Sequence, residues 1–128
     1  MTISLRRAYE ETMDIARIQK RLREFTAERE WDQFHSPKNL AMALTSEAGE
    51  LAEVFQWMTE QRSRDLSQSE TDLALAREEI ADVMIYLLRL ADVLNINLEE
   101  AIDAKIDINK AKYPVGSSRG NATKYNRR

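Results

Sequence analysis

The sequence predicts an all-α protein, and three observations carry that expectation. Apolar residues recur at three- and four-residue steps over long stretches, as they do on one face of a helix. No segment of useful length alternates apolar and polar residues as a half-buried strand would. Only three Gly and two Pro occur in 128 residues, too few turn formers for a many-stranded chain.

Four helices are expected in order. The first runs from about Leu5 to Arg29, with Ile15, Ile18, Leu22 and Phe25 at helical spacing. The stretch EWDQFHSPKN breaks it, and Ser36 followed by Pro37 is a cap and first-turn pair for a second helix reaching about Met58. TEQRSRDLSQSETD reads as a polar linker, after which Thr71 or Asp72 can cap a third helix to about Leu94. Asn97 caps a fourth, with Glu99 and Glu100 in the first turn where the helix dipole favours them. Pro114 and Gly116 end it. The division expected is a helical domain over 1–114 and a tail over 115–128. That tail, VGSSRGNATKYNRR, has four basic and no acidic residues and is either mobile or closed on a ligand. Short connections favour antiparallel neighbours in a four-helix bundle.

Composition narrows the function. A formal net charge of −3 gives no whole-chain signal for nucleic acid or an anionic membrane surface. No apolar run approaches the ~20 residues of a membrane span, and the first residues lack the apolar core of a secretory signal. Absence of cysteine excludes disulfides, zinc-thiolate sites and thiol catalysis, and it is compatible with a reducing cytoplasm.

The informative feature is where the acids sit. The second helix has one apolar stripe, Leu40, Leu44, Ala48, Leu51, Phe55 and Met58. Beside it runs Ala43, Glu47, Glu50, Val54 and Trp57, in steps of four and three that mark a packing seam. The third helix repeats the arrangement. Its main stripe is Leu73, Ile80, Met84, Leu87, Ala91 and Leu94, and its second line holds Leu75, Glu79, Asp82 and Tyr86. If the two helices pack along these seams, four carboxylates converge. Desolvation and mutual repulsion then disfavour their ionised forms unless a cation joins them. Oxygen ligands with no His or Cys beside them suit Mg²⁺ or Mn²⁺ rather than zinc. The pattern leaves a second reading open, since acidic pairs three apart also occur on solvated helix surfaces.

Two further lines matter. The third helix is apolar on several sides, with Leu75, Ile85, Tyr86 and Val93 off its main stripe, so it is expected to be covered on several sides, in a homo-oligomer. Scattered surface apolar residues are the alternative. On the fourth helix Leu98, Ile102, Lys105, Asn109 and Lys112 share one line. Its lysines suit an anionic partner such as phosphate, or else lie with their stems along a packed face.

With these residues in view, EAGELAEVFQW followed by EEIADVMIYLLRLAD resembles the paired E-x-x-E and E-x-x-D motifs of the MazG-like all-α nucleoside triphosphate pyrophosphohydrolases. EREWDQFHSPKNLAMAL and KIDINKAKYP make the likeness closest to the dCTP pyrophosphatases and small stand-alone MazG-like proteins, over about residues 25–125. The resemblance implies a four-helix MazG-like bundle assembled as a dimer or a dimer of dimers. It implies Mg²⁺-dependent cleavage of a nucleoside triphosphate, with dCTP favoured, to monophosphate and pyrophosphate. Glu47, Glu50, Glu79 and Asp82 would hold metal, with Glu53 a second-shell or base residue. Lys38, Lys105, Asn109, Lys112, Tyr113 and Lys124 would meet phosphates or sugar. Trp31, His35, Trp57 and Tyr86 would form the nucleoside pocket. The first helix, ARIQKRLREF, departs from the dCTP pyrophosphatase pattern and places Gln19 or Leu22 where those enzymes carry a base-contacting His. A broader dNTP or modified-nucleotide pyrophosphatase is the alternative enzyme. A non-catalytic helical interaction module is the alternative outside enzymes.

Overall fold

A computed structural model describes residues 13–122. Among them the regular elements are helical: α1 (Ile15–Glu28), a 3-10 turn (Asp32–Phe34), α2 (Pro37–Phe55), α3 (Glu60–Arg64), α4 (Glu70–Val93), α5 (Leu98–Lys112) and α6 (Val115–Ser118). They form two compact units, one up to Leu94 and one from Asn95 onward.

The caps explain most boundaries. Ser36 accepts from the Asn39 N–H at 3.2 Å with Pro37 in the first turn, and Asn97 accepts from the Glu100 N–H at 3.1 Å, both as the sequence predicts. The first helix starts later than expected. Asp14 is extended and caps Ile15 by accepting from the Arg17 N–H, while residues 5–12 lie outside the described residues. The third long helix is capped by Ser69, not by Thr71 or Asp72. The Ser69 hydroxyl reaches the Asp72 N–H, which leaves Glu70 and Asp72 in the first turn beside the positive end of the dipole. The expected linker contains a helix of its own, α3, capped by Thr59 and tied to α4 by an Arg62–Asp72 ion pair. Gly116 does not terminate α5; it lies within the single turn of α6.

In the first unit α2 packs on α4, and α1 packs on α4 as well. Residues beside the start of α2 (Asp32 and His35) meet Arg89 late in α4, and Arg62 just after α2 meets Asp72 early in α4. The two helices are therefore antiparallel. Leu40 and Leu88, each 1% exposed, are the largest fully buried side chains, with Ala76 and Ala91 beside them in the core.

The face of α4 that packs inside the chain is not its most apolar one. Of the expected stripe only Ala91 is buried; Leu73, Ile80, Met84, Leu87 and Leu94 are 39–54% exposed. The covered line is Ala76, Glu79, Val83, Tyr86 and Leu90, which includes one of the acids. A helix with two apolar faces can present either to its own chain, and here the acid-bearing seam does so.

α1 ends in a turn that shapes the site. The Trp31 N–H donates to the Thr26 carbonyl at 2.9 Å and the Glu30 N–H to the Ala27 carbonyl at 3.1 Å, the paired bonds of a Schellman ending. Such endings carry an apolar contact from the residue after the turn back to the last helical turn. Here Trp31 meets Phe25 edge-to-face at 5.6 Å between ring centres. The turn residue is Glu30 at φ 55, a left-handed conformation that costs a side-chain-bearing residue ~1 kcal/mol relative to Gly. Glu30→Gly should raise the unfolding free energy by about 1 kcal/mol in urea titrations, and Glu30→Val should lower it.

Candidate functional site

Glu47 and Glu50 lie one turn apart on α2, and Glu79 faces them from α4. One carboxylate oxygen from each lies within 4.8 Å of the others. Glu47 and Glu79 are half-buried, Glu50 is exposed. The seam expected to gather the acids does so for these three. Asp82 stands outside that close group, yet its charge acts on both Glu47 and Glu79.

The electrostatics favour a cation. Glu47 is held above its ordinary carboxylate range, first by burial and then by Glu50, Asp82 and Glu79. Glu79 is raised likewise, by burial and then by Glu50, Asp82 and Glu78. Moreover, Glu47 Oε2 and Glu79 Oε2 are buried without a hydrogen-bond partner among the described residues. A buried lone pair with no donor is costly, and two of them facing a third carboxylate make a site that a small hard cation fits. Oxygen-only donors match Mg²⁺ or Mn²⁺.

About two turns beyond Glu79 on α4 lies a pocket of about 240 Å³ lined by Leu22, Phe25, Thr26, Trp31, His35, Ile85, Tyr86 and Arg89. The structure thus brings Trp31, His35 and Tyr86 to one cavity. Trp57, 89% exposed, is not among them. It lines a separate hollow of about 350 Å³ with Glu53, Val54, Met58, Thr59, Arg62 and Asp72, at the opposite end of the α2–α4 pair. Lys38 is exposed in the first turn of α2. Lys105, Asn109, Lys112 and Tyr113 belong to the second unit, on α5 and its C-terminal cap. Lys124 lies outside the described residues.

Sequence reasoning missed Arg89, although a lone arginine inside VMIYLLRLADVL was a usable signal. It is 8% exposed. Its Nη2 donates to Asp32 at 2.8 Å, its Nε donates to His35 Nδ1 at 3.2 Å, and its Nη1 lies 3.6 Å from Asp92. Asp92 also accepts from Arg23 at 2.7 Å, and Asp32 accepts from the Thr26 hydroxyl at 2.8 Å. Burial first, and then the Arg89 charge, holds His35 below its ordinary pKa, against the opposing pull of Asp32.

Residues 42–127 match the MazG-like family. The chain is similar to dCTP pyrophosphatase 1 of Bos taurus, 46% identical over 102 residues, and to that of Homo sapiens, 45% identical over the same length. Both alignments cover 80% of this chain and 60% of the relative, so the chain spans well under the full length of these relatives. It is also similar in structure to a pyrophosphatase from Archaeoglobus fulgidus, with a TM-score of 0.68 and 43% identity, covering 74% of this chain and 87% of that one.

Raised carboxylate pKa values fix the sign of a pH effect. A carboxyl whose folded pKa exceeds its unfolded value favours folding below the unfolded value. It loses that contribution as pH rises through the folded one. Glu47 and Glu79 therefore oppose folding at neutral pH when cations are chelated. In EDTA at pH 8, Glu47→Gln should melt above the unsubstituted protein. The gap should close as pH falls into the ordinary carboxylate range, and saturating Mg²⁺ should reverse the order. Differential scanning calorimetry checks all three.

Proposed function

The chain belongs to the MazG-like family, and on that premise we propose that it is a Mg²⁺-dependent nucleoside triphosphate pyrophosphohydrolase. It cleaves a deoxynucleotide, dCTP first among them, to the monophosphate and pyrophosphate, and keeps the cytoplasmic nucleotide pool in order. One observation carries the reading: two buried carboxylate oxygens without a partner among the described residues, Glu47 Oε2 and Glu79 Oε2, lie about two turns of α4 from an aromatic-walled pocket. Each turn advances ~5 Å, so the offset is ~10 Å, a workable span between a nucleotide's phosphates and its base. The relatives' names, dCTP pyrophosphatase 1 and pyrophosphatase, agree with it.

Glu47, Glu50, Glu79 and Asp82 would hold Mg²⁺ or Mn²⁺. When bound, the ion would neutralise phosphate charge and make an attacking water more acidic. The chain's own residues do the rest. Glu50 is the exposed member of the group and can accept the proton that water gives up, with Glu53 one turn beyond in a supporting role. Trp31 and Tyr86 supply flat surfaces on which a base can stack, and the largely apolar lining excludes water from its faces. Lys38, Lys105, Asn109, Lys112, Tyr113 and Lys124 are proposed for phosphate and sugar. No Ser or Cys nucleophile is needed, because phosphoryl transfer rests on positioning and charge neutralisation.

A broader dNTP or modified-nucleotide specificity is the second reading, favoured by how few polar groups line the pocket. Pyrophosphate release from a panel of nucleotides at fixed Mg²⁺ separates the two. Replacing even the partners of metal ligands costs about 10- to 100-fold. Glu50→Gln and Asp82→Asn should each reduce dCTP turnover by more than ~100-fold; full activity in both would remove the site assignment.

We further propose a homo-oligomer, a dimer or a dimer of dimers, built on the open face of α4. Ile80, Met84, Leu87 and Leu94 form one line there and are each at least 39% exposed, a patch that suits an interface. Met84→Glu should shift the mass in light scattering toward the monomer; an unsubstituted chain that is monomeric at all concentrations would refute the interface.

A further inference from the structure

Nothing in the proposed chemistry yet uses the contact between Arg89 and His35. A guanidinium Nε–H can only donate, so the His35 Nδ1 that receives it must carry a lone pair. A neutral imidazole with Nδ1 as acceptor bears its proton on Nε2.

The donor itself cannot turn away. Arg89 is buried among partners on three sides: Asp32, Asp92 and the imidazole. Each carboxylate is held in turn, Asp32 by the Thr26 hydroxyl and Asp92 by Arg23. Together these groups join α1, the 3-10 turn and α4. They are also the charges facing His35: Asp32 from its own turn, and Arg89, backed by Asp92, from α4.

The imidazole lines the 240 Å³ pocket, whose other walls are chiefly apolar. Among the described residues no acceptor is bonded to Nε2. A free imidazole could present either a donor or an acceptor by exchanging tautomers. Held at Nδ1, it can present only a donor.

We propose that Arg89 is a positioning residue that fixes His35 as a neutral Nε2–H donor. The pocket then selects a planar ring whose edge offers a lone pair, such as a carbonyl oxygen or an unprotonated ring nitrogen. This rests on the nucleotide reading above for the ligand, but the tautomer itself does not.

His35 is the single histidine of the chain, so one long-range proton–nitrogen NMR spectrum of the uniformly ¹⁵N-labelled protein reads its state directly. The expected spectrum shows Nδ1 unprotonated and Nε2 protonated from pH 8 to below the ordinary histidine pKa. An Nδ1–H form, or a mixture of tautomers, would overturn the proposal. In kinetics with dCTP and Mg²⁺, Arg89→Met should raise KM about tenfold, the scale of one hydrogen bond. Its kcat should change by less than about threefold. His35→Gln supplies an N–H that needs no tautomer lock, so Arg89→Met should add little to KM in that background. An equal penalty in both backgrounds would mean that Arg89 is merely structural. Should Arg89→Met fail to fold, the spectrum of the unsubstituted protein still decides. A correct tautomer with no dCTP hydrolysis would sink the proposed reaction and leave the lock standing; dCTP hydrolysis with the wrong tautomer would do the reverse.

Discussion

The constraint on which the first unit depends is the packing of α2 against α4 along faces that carry acids. Glu47 and Glu79 are drawn partly out of water by this packing, and each leaves a buried oxygen without a donor among the described residues. Burial and like charge both act against ionisation there. A chain under selection for stability alone would put aliphatic residues at these positions, since an apolar seam of the same shape carries no desolvation cost. Retaining carboxylates makes sense when the stabilising partner is a ligand, because anything that binds only the folded state adds to its stability.

The other end of the α2–α4 pair obeys the opposite rule. Around Arg89 the polar atoms are matched: three partners for the buried guanidinium, and a second donor for each of the two carboxylates it meets. A satisfied buried network rigidifies what it holds. The two arrangements sit about three turns apart on α4, one complete in itself and the other with two buried oxygens that lack a donor among the described residues. The satisfied network fixes the pocket wall, and the unsatisfied group is the one the proposed function gives to a cation.

Much of this was legible in the sequence, and the residues show why. Ser36–Pro37 and Asn97 are caps whose side chains bond within three residues, so local chemistry suffices to place them. Glu47, Glu50 and Glu79 were found from helical spacing alone, because two seams with matching steps constrain each other. Ser69 was missed because several Ser, Thr and Asp residues precede α4, and which one caps depends on where α3 ends and how Arg62 reaches Asp72. Arg89 was missed because its partners Asp32 and His35 lie more than fifty residues away in the chain, and no periodicity joins them. Trp57 was grouped with Trp31 by resemblance, but the antiparallel pairing of α2 and α4 carries it to the far end.

The stripe on α4 gives the deepest lesson about what a single sequence can specify. Periodicity identifies faces that avoid water; it does not say which molecule covers them. The first unit buries few large side chains completely, while Phe25, Trp31, Leu73, Ile80, Met84 and Leu94 each remain more than 40% exposed. Exposed apolar residues are ordinary one at a time, but on α4 several follow the four-three spacing of a packing seam. A helix whose acid-bearing side meets its own chain, and whose more apolar side is open, divides its two faces between two tasks. Packing within the chain assembles the carboxylate group, and the open face is the one the proposed homo-oligomer would cover. If the cluster opposes folding when no cation is bound, the missing stability must come from elsewhere, and the apolar line from Ile80 to Leu94 is the largest reserve α4 holds. Under the proposed homo-oligomer, site and assembly would be coupled through one helix, so a change that weakens the association should also loosen the seam that brings Glu79 to Glu47.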